Sequence, residues 1–284
     1  GITGSQGKTT AKEMTGSILS QVGATLKTPK NQNNTIGVPL TLLSLTDQHE
    51  FAVIEMGADR HGEIKFSASS AKPSIALITN AKEAHVEGFG SLYGIVEAKG
   101  EIIDATDPTG ILVLNYDDAN VETWIARAES KVVKKFSGHS TSADYFASDV
   151  CIGAKGRAEF ILNTPLGSQP IKLGLLGNHN VLNAVASSAV AMEAGANLMH
   201  VKAGLESVKP VCGRLSLANG INQCKVLDDT YNASPSSFKA AIDVLTSFSG
   251  EKVLVAGDMK ELGMKSEEFH EQIGEYAANS GIGK

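Results

Sequence analysis

The residues whose types and spacing most clearly suggest a chemical role lie between Gly4 and Thr10, where the sequence is GSQGKTT. The two glycines let the backbone curl so that its N–H groups point at phosphate oxygens. Lys8 can reach the β- and γ-phosphates, and the Thr9 hydroxyl can bind Mg²⁺. A helix after the loop would add its positive N-terminal end. The segment is therefore predicted to be a phosphate-binding loop. Its nucleotide contacts would come from Gly4, Ser5, Gln6, Gly7, Lys8, Thr9 and Thr10.

This loop departs from the general phosphate-binding pattern in one place. The pattern has a glycine five positions before Gly7, where this chain has Ile2. A glycine-rich turn that opens a surface helix is the alternative interpretation. Lysine followed by two threonines suits a phosphate better than a plain turn.

Polar residues also follow two short apolar runs, which are typical of buried parallel strands. Glu55 follows residues 51–54, and Asn80 follows residues 75–79, with His85 five positions later. The carboxyl ends of parallel strands meet at one sheet edge, where the phosphate loop would also lie. A carboxylate there can hold Mg²⁺ directly or through water, so Glu55 is predicted to be a metal ligand. A lone histidine such as His85 is more often a hydrogen-bonded loop residue.

Lys99 lies between Glu97 and Glu101 on a predicted helix. From these residues alone, a solvated lysine that forms ion pairs along the helix is the favoured interpretation.

Three further groups could contact a nucleotide. Asn180 and Asn183 lie at the start of a helix, where they could cap it or bind a base edge, and both interpretations stay open. Arg214 could reach a phosphate across a cleft. One carboxylate of the pair Asp228 and Asp229 could bind a ribose hydroxyl.

The elements around these residues alternate between strand and helix, which indicates an α/β fold with a mostly parallel sheet. Strands are predicted at 51–55, 75–79, 111–115, 225–229 and 252–256, and antiparallel hairpin structure at 145–176. Helices are predicted at 92–105, 119–129, 178–194, 198–208, 236–248 and 267–279. Residues 209–213 form a plausible joint. We expect a central ATP-binding domain at 1–210 and a partial Rossmann-like domain at 211–284.

Composition excludes several functional classes. The 284 residues are 42% hydrophobic with a net charge of −6 and no basic block, so a nucleic-acid partner is not expected. Three scattered cysteines suit reduced thiols in a cytosol. No apolar run of about 18 residues and no signal peptide is present, so we expect a cytoplasmic protein without membrane insertion.

The chain begins at Gly1, without Met and inside the motif, and the sequence predicts no strand before the loop. It stops just after a predicted helix, where another strand would be expected. We therefore expect a fragment of a longer protein, inactive in the full reaction by itself.

Nine segments resemble the Mur ligases, the ATP-dependent amide ligases of peptidoglycan precursor synthesis, over nearly the whole chain. They are GITGSQGKTT (1–10), NNTIGVPLTLL (33–43), EMGA (55–58), Asn80 with AHVEGFG (84–90), EAKGEI (97–102), GNHNVLN (177–183), GRL (213–215), DDTYNA (228–233) and GDMKELG (257–263). The family's loop has the shorter Gly-x-x-Gly-Lys spacing, which accounts for the misfit at Ile2. Gln6 stands where the family usually has asparagine.

The resemblance implies ATP and two Mg²⁺ sites. Thr9, Glu55 and His85 match metal-binding positions, and Lys99 matches a lysine that reacts with CO₂ to form a carbamate and helps to organise the second metal. Lys8, Lys99, His85 and Arg214 would be the catalytic residues.

The resemblance also implies how the substrates bind. Asn180 and Asn183 would hold adenine, Asp229 would bind ribose, and Arg214 would approach the phosphates when the domains close. Asn34 and Thr35 fall in the segment that touches the UDP-linked substrate.

Within the family, the chain is most similar to the member that adds D-alanyl-D-alanine to UDP-N-acetylmuramoyl tripeptide. We expect a monomer, and lysine and diaminopimelate both stay open as the third peptide residue. One rival is a related ligase, either the one that adds the third amino acid or folylpolyglutamate synthase. The other rival is an ATP-binding module without ligase activity.

Overall fold

The computed structural model describes residues 1–82, 86–153 and 156–283, and its architecture is α/β. The strands are β1 (Ile2–Thr3), β2 (Thr25–Lys27), β3 (Phe51–Val53), β4 (Ile75–Ile78), β5 (Ile111–Asn115), β6 (Val132–Ser137), β7 (Tyr145–Ile152), β8 (Arg157–Thr164), β9 (Gly167–Leu176), β10 (Ser216–Asn219) and β11 (Lys225–Asp228). The helices are α1 (Lys8–Leu19), α2 (Gly37–Leu42), α3 (Glu63–Ala71), α4 (Val86–Phe89), α5 (Leu92–Ala105), α6 (Val121–Arg127), α7 (His179–Glu193), α8 (Leu198–Ser207), α9 (Pro235–Thr246) and α10 (Ser266–Asn279).

Seven strands form the main sheet in the order β1-β4-β5-β6-β7-β8-β9. The pairs from β1 to β7 are parallel, and β7, β8 and β9 are antiparallel, as the sequence predicts for residues 145–176. Strands β2 and β3 form a separate parallel pair, and a bridge from Ile2 to Glu55 joins the chain after β3 to β1. The ends of β1, β3 and β4 therefore lie side by side.

Two apolar cores cover the faces of this sheet. One contains Met14 and Ile18 of α1 with Ala184 and Val185 of α7, all fully or almost fully buried. The other packs α3, α5 and α6 against the opposite face, with Trp124 completely buried and donating from Nε1 to the Val96 carbonyl at 3.1 Å. This close packing on both faces gives the sheet edge a rigid support. We call residues 1–208 the sheet region.

Residues 213–283 contain the hairpin β10-β11 with α9 and α10, and we call them the hairpin region. Their apolar cluster is small and is built around six buried residues. A second cluster joins the two regions, because Leu176 of β9 packs with Leu215 and Val244.

Two predictions about strands are wrong. A strand does precede the phosphate loop, because the apolar Ile2 is buried and pairs with Leu77 of β4. The predicted strand at 252–256 does not form, and Val253 and Val255 are 56% and 92% exposed. A strand at 252–256 would need a neighbouring strand to accept and donate backbone hydrogen bonds. Within the described ranges, β11 pairs only with β10, so it offers no such partner to residues 252–256.

Long periodic segments match the structure most closely. The predicted helix at 92–105 coincides with α5, and the predicted strand at 111–115 coincides with β5. In the parts of the chain that the structure describes, no helix is both long enough and apolar enough to cross a bilayer.

Candidate active site

A cavity of about 590 Å³ lies where the sheet region and the hairpin region meet. Such a volume is in the range of small-molecule sites. Most of the described residues that sequence analysis singled out line it. They are Ser5, Gln6, Gly7, Lys8, Thr9, Thr10, Asn34, Thr35, Glu55, Lys99, Asn180, Asn183, Arg214 and Asp229.

The loop from Gly4 to Thr10 is held in place by hydrogen bonds to Thr79 and Asn80, which follow β4. Gly4 and Gly7 have φ values of 140° and 80°, which only glycine adopts without strain. The Ser5 N–H donates to the Asn80 carbonyl at 2.9 Å, and the Gln6 N–H donates to Asn80 Oδ1 at 3.0 Å. The Thr79 hydroxyl donates to the Gln6 carbonyl at 2.6 Å. Asn80 therefore fixes the curvature that a phosphate site requires.

Lys8 opens α1, and its ammonium group lies over the loop. It donates to the Gly4 carbonyl at 2.7 Å and to the Ser5 carbonyl at 3.1 Å. Burial lowers the pKa of Lys8, and the nearby Arg214 lowers it further, whereas Glu55 opposes the shift. Two cations thus converge on one small volume, which favours an anionic ligand there.

Glu55 is buried beside the loop and is contacted on both carboxylate oxygens. Oε1 accepts hydrogen bonds from the Thr9 hydroxyl at 3.0 Å and from Asn33 Nδ2 at 2.8 Å. Among the described residues nothing donates a hydrogen bond to Oε2, and the Lys12 ammonium lies 3.6 Å from it. The carboxylate is therefore held firmly by one oxygen, while the other keeps acceptor capacity.

These oxygens fit a magnesium ion. Mg²⁺ takes hard oxygen ligands, often one or two carboxylates together with phosphate and water oxygens. Thr9 and Glu55 offer a hydroxyl and a carboxylate oxygen without a hydrogen-bond donor. No group of three or more His, Cys, Asp or Glu with metal-site spacing occurs in the described part of the chain. Any metal here would therefore depend on ligand and water oxygens as well.

Lys99 is not a solvated lysine, although its acidic neighbours favour that interpretation. It is 2% exposed, and its ammonium lies 5.2 Å from the centre of the Phe89 ring. Burial, with the charge of Lys8, lowers the pKa of Lys99 to about 7. The neighbouring Glu101 instead accepts hydrogen bonds from Gly62 N–H and Lys65 N–H at the start of α3. Lys99 therefore has a substantial neutral fraction near pH 7, which a nucleophilic amine requires.

Asn180 and Asn183 lie in the first turns of α7 and form one hydrogen-bonded unit. Asn180 is buried and donates to the Leu176 carbonyl at 2.7 Å, and Asn183 donates to Asn180 Oδ1 at 3.0 Å. The side chain of Asn183 packs against Gly7, where a Cβ atom would collide with it. The apolar side chain of Leu182 lines the cavity beside them, so this wall presents both amides and apolar surface.

Asn34 lies just before helix α2 and also borders the cavity. Its Oδ1 accepts from the N–H groups of Ile36 at 3.1 Å and Gly37 at 2.8 Å, which start α2. Thr35 follows it on the same rim. The segment before α2 can therefore present polar groups to a ligand.

The hairpin region contributes Arg214 to the loop. Arg214 Nη2 donates to Thr9 Oγ1 at 3.1 Å, and its guanidinium stacks 4.2 Å from the centre of the Tyr231 ring. Asp229 Oδ1 accepts from the Leu215 N–H at 3.1 Å, and burial raises the pKa of Asp229. In this structure, the arginine contacts the loop directly.

A second contact joins the same two regions. Gln6 Nε2 donates to the Ser234 hydroxyl at 2.7 Å and also to the Ser236 hydroxyl. These serines lie at the start of α9, where Ser234 and Ser237 form a capping box. This contact is not predictable from the sequence, because a serine-rich helix start is typical of ordinary capping.

Lys12 and Asn33 are the other residues that sequence analysis missed. Both contact Glu55, and Asn33 lies inside a segment that resembles the family. Lys12 is completely buried, although its acidic neighbour Glu13 favours a position in solvent. His85, predicted as a metal ligand, lies outside the described residues.

The sequence and the fold both match known proteins. The Mur ligase middle domain matches residues 2–191, and the Mur ligase glutamate ligase domain matches residues 213–283. UDP-N-acetylmuramoyl-tripeptide–D-alanyl-D-alanine ligase of Escherichia coli is 46% identical over 99% of this chain and 62% of its own length. The chain thus spans about 60% of the length of the curated relatives it matches.

Solved structures give the same result. MurF of Acinetobacter baumannii has a TM-score of 0.93 and 39% identity, over 98% of this chain and 60% of that one. MurF ligase of Thermotoga maritima, solved in complex with ADP, has a TM-score of 0.84 and 33% identity, over 97% and 63%.

Proposed function

The chain belongs to the Mur ligase family, and on that premise we propose that it forms the ATP-using part of a UDP-N-acetylmuramoyl-tripeptide–D-alanyl-D-alanine ligase. The E. coli and A. baumannii similarities, which extend over almost the whole chain, favour this member over the others. We further propose a central domain at 1–210 and a C-terminal domain at 211–284, since the two family matches lie on either side of residues 192–212.

The reaction would proceed in two steps. The tripeptide carboxylate attacks the γ-phosphorus of ATP, so that an acyl phosphate forms and ADP leaves. The amine of D-alanyl-D-alanine then attacks the acyl carbon, loses a proton and expels inorganic phosphate. ATP supplies the activation, so no protein nucleophile is required.

The protein's task in this proposal is to bring two anions together and to offset their charge. A carboxylate and a triphosphate repel each other, and fixed cations in a site with little water lower that barrier. Lys8 of the sheet region and Arg214 of the hairpin region both line this cavity, and the start of α1 adds backbone N–H groups. Mg²⁺, when bound by Thr9 and Glu55, would add further charge neutralisation.

Lys99 would act as an anion rather than as a cation. Its neutral amine would attack CO₂, lose a proton and leave a carbamate whose oxygens could help to hold a second Mg²⁺ together with His85. Its burial and its pKa of about 7 support this role, because a lysine with an ordinary pKa is almost fully protonated at neutral pH.

The remaining residues would bind the substrates. We propose that Asn180 and Asn183 hold the adenine and that Asp229 binds the ribose. Asn34 and Thr35 would face the UDP-linked substrate. All five border the same cavity as the phosphate loop.

The observation that supports the proposal most strongly is the convergence of Lys8, Thr9, Glu55, Lys99 and Arg214 on one cavity. The test is to incubate the protein, in the full-length context of its relatives, with Mg²⁺, ATP, UDP-N-acetylmuramoyl tripeptide and D-alanyl-D-alanine. Mass spectrometry should find the pentapeptide product only when all three substrates are present. ATP binding without product would favour another acceptor or a non-catalytic module.

The role of Lys99 has its own test. Lys99→Ala should be nearly inactive and should regain part of its activity with short carboxylic acids, which replace the carbamate. Lys99→Arg keeps a positive charge and should not work. Wild-type activity of Lys99→Arg would disprove the carbamate hypothesis.

A further inference from the structure

Lys12 is a buried cation to which the proposed mechanism gives no role. It lies one turn after Lys8 on α1, and none of its surface is exposed. Its ammonium donates to the carbonyls of Thr28 at 2.9 Å and Lys30 at 3.0 Å. Carboxylate oxygens of Glu13 and Glu55 lie 3.1 and 3.6 Å away. Four oxygens therefore surround this one nitrogen.

Burial of an unpaired ammonium is very costly in free energy, so a completely buried lysine requires partners such as these oxygens. An ammonium has three protons, and two of them are used by backbone carbonyls, whose positions the chain fixes. The lysine can therefore neither leave nor turn without losing these bonds. It acts as a fixed point between α1, the segment after β2 and the end of β3.

This fixed point holds Glu55 in two ways. Directly, the ammonium faces Glu55 Oε2. Indirectly, it holds the Lys30 carbonyl where the chain turns, with Lys30 at a φ of 48°, a left-handed conformation that non-glycine residues rarely adopt. Three residues later, Asn33 donates to Glu55 Oε1. Lys12 thus faces Oε2 directly, and one of the two donors to Oε1 comes from the segment that Lys12 holds.

We propose that Lys12 is a positioning residue, which orients Glu55 for Mg²⁺ and holds the segment of Asn33 against it without touching metal or nucleotide. The inference rests on the proposed function, since it assumes that Glu55 binds Mg²⁺. Residues that orient a metal ligand typically change metal affinity about 10- to 100-fold when they are replaced. Lys8, which faces the phosphates, does not contact Lys12 through any described hydrogen bond.

The test separates nucleotide binding from metal binding. ADP affinity is first measured by calorimetry in the presence of EDTA. In a separate sample without EDTA, Mg²⁺ is then titrated into the complex of protein and ADP. For Lys12→Met, we expect ADP affinity without metal within about twofold of wild type, because the phosphate loop and Lys8 are unchanged. The Mg²⁺ concentration for half-saturation should rise about 10- to 100-fold. A residue that only stabilised the fold would shift both measurements together.

Lys27→Met is the matched control. Lys27 also pairs with Glu13, at 2.6 Å, but it is partly exposed and does not pair with Glu55 in the described structure. Both affinities should stay at the wild-type values. If Lys12→Met does not fold, the same titration on Lys12→Gln, which keeps one amide donor, should show a smaller shift in the same direction.

The outcomes distinguish the two proposals. If wild-type protein binds no ADP, or if its ADP complex takes up no Mg²⁺, the proposed function fails. If wild type behaves as expected and Lys12→Met has wild-type Mg²⁺ affinity, the positioning role is wrong. Loss of fold in both Lys12 variants would also contradict it and would make Lys12 a purely structural residue.

Discussion

The sheet region and the hairpin region differ in how they are built, and the cavity lies between them. The sheet region packs helices on both faces of seven strands, so its interior is continuous. The hairpin region has two strands and a core of six buried residues. A rigid region therefore supplies the phosphate loop and Glu55, and a thinner one supplies Arg214 and Asp229. This division teaches that the site is complete only while the regions stay together.

The largest expected effect comes from the rigid side. Lys8→Ala should reduce acceptor-dependent ATP turnover by about 10³-fold or more, because it removes the cation over the loop. Steady-state kinetics on the full-length protein measures this loss. The melting temperature should stay close to that of wild type, since the described hydrogen bonds of the ammonium go only to the loop carbonyls of Gly4 and Ser5. Normal turnover would remove the phosphate-loop assignment.

Arg214→Ala tests the contribution of the hairpin region, and its effect on turnover should be smaller than that of Lys8→Ala. Turnover should fall by about 10²- to 10³-fold, because a charge that would face the phosphates in the proposed reaction is lost. ADP affinity should change far less, because the sheet region would still hold the nucleotide. Arg157→Ala, on an exposed position of β8, is the control and should behave like wild type. Equal losses in both variants would contradict a specific role for Arg214.

Lys99 links function to stability through pH. Its pKa of about 7 in the folded protein lies below its ordinary value of 10.5, so folding disfavours its proton. This cost is complete below pH 7 and disappears as pH rises from about 7 to 10.5. Lys99→Met should therefore be more stable than wild type at pH 6, by a few kcal/mol at about 1.4 kcal/mol per pKa unit. Chemical denaturation across pH should show the gain shrinking, and a gain that does not depend on pH would contradict it.

The two cores can be compared directly by cavity formation. Leu77→Ala in the sheet and Ile242→Ala in the hairpin region both empty fully buried sites and should each cost about 2–5 kcal/mol. Leu77→Ala should weaken amide protection everywhere. Ile242→Ala should weaken it mainly in α9 and α10, as hydrogen exchange would report. Identical patterns would mean that the regions unfold as one unit.

Gln6→Asn should give the smallest effect. Its shorter side chain cannot reach Ser234 and Ser236, so one or two partly buried hydrogen bonds across the junction are lost. At about 1 kcal/mol each, the apparent KM for ATP should rise a few-fold. Ser236→Ala, which leaves the cap of α9 intact, should show part of the same change, and the double variant should add little to Gln6→Asn. Additive effects would contradict a shared contact.

The sequence predicts the sheet region well because its periodic apolar segments determine their own structure. α5 matches its predicted bounds, and the phosphate loop lies where Gly4 and Gly7 place it. The sequence-based prediction fails where tertiary partners determine the structure, as at residues 252–256, beside which the described part of the chain has no strand. The burial of Lys12 and Lys99 was also out of reach, since their acidic neighbours suggest solvent.

The central claim is that one nucleotide site is shared by both regions. Hydrogen–deuterium exchange with and without Mg²⁺ and ADP tests it most directly on this chain. We predict that ADP slows exchange in peptides from the phosphate loop and α1 and, together with them, in peptides from residues 211–234. Protection of the loop alone, with the hairpin region unchanged, would contradict a shared site.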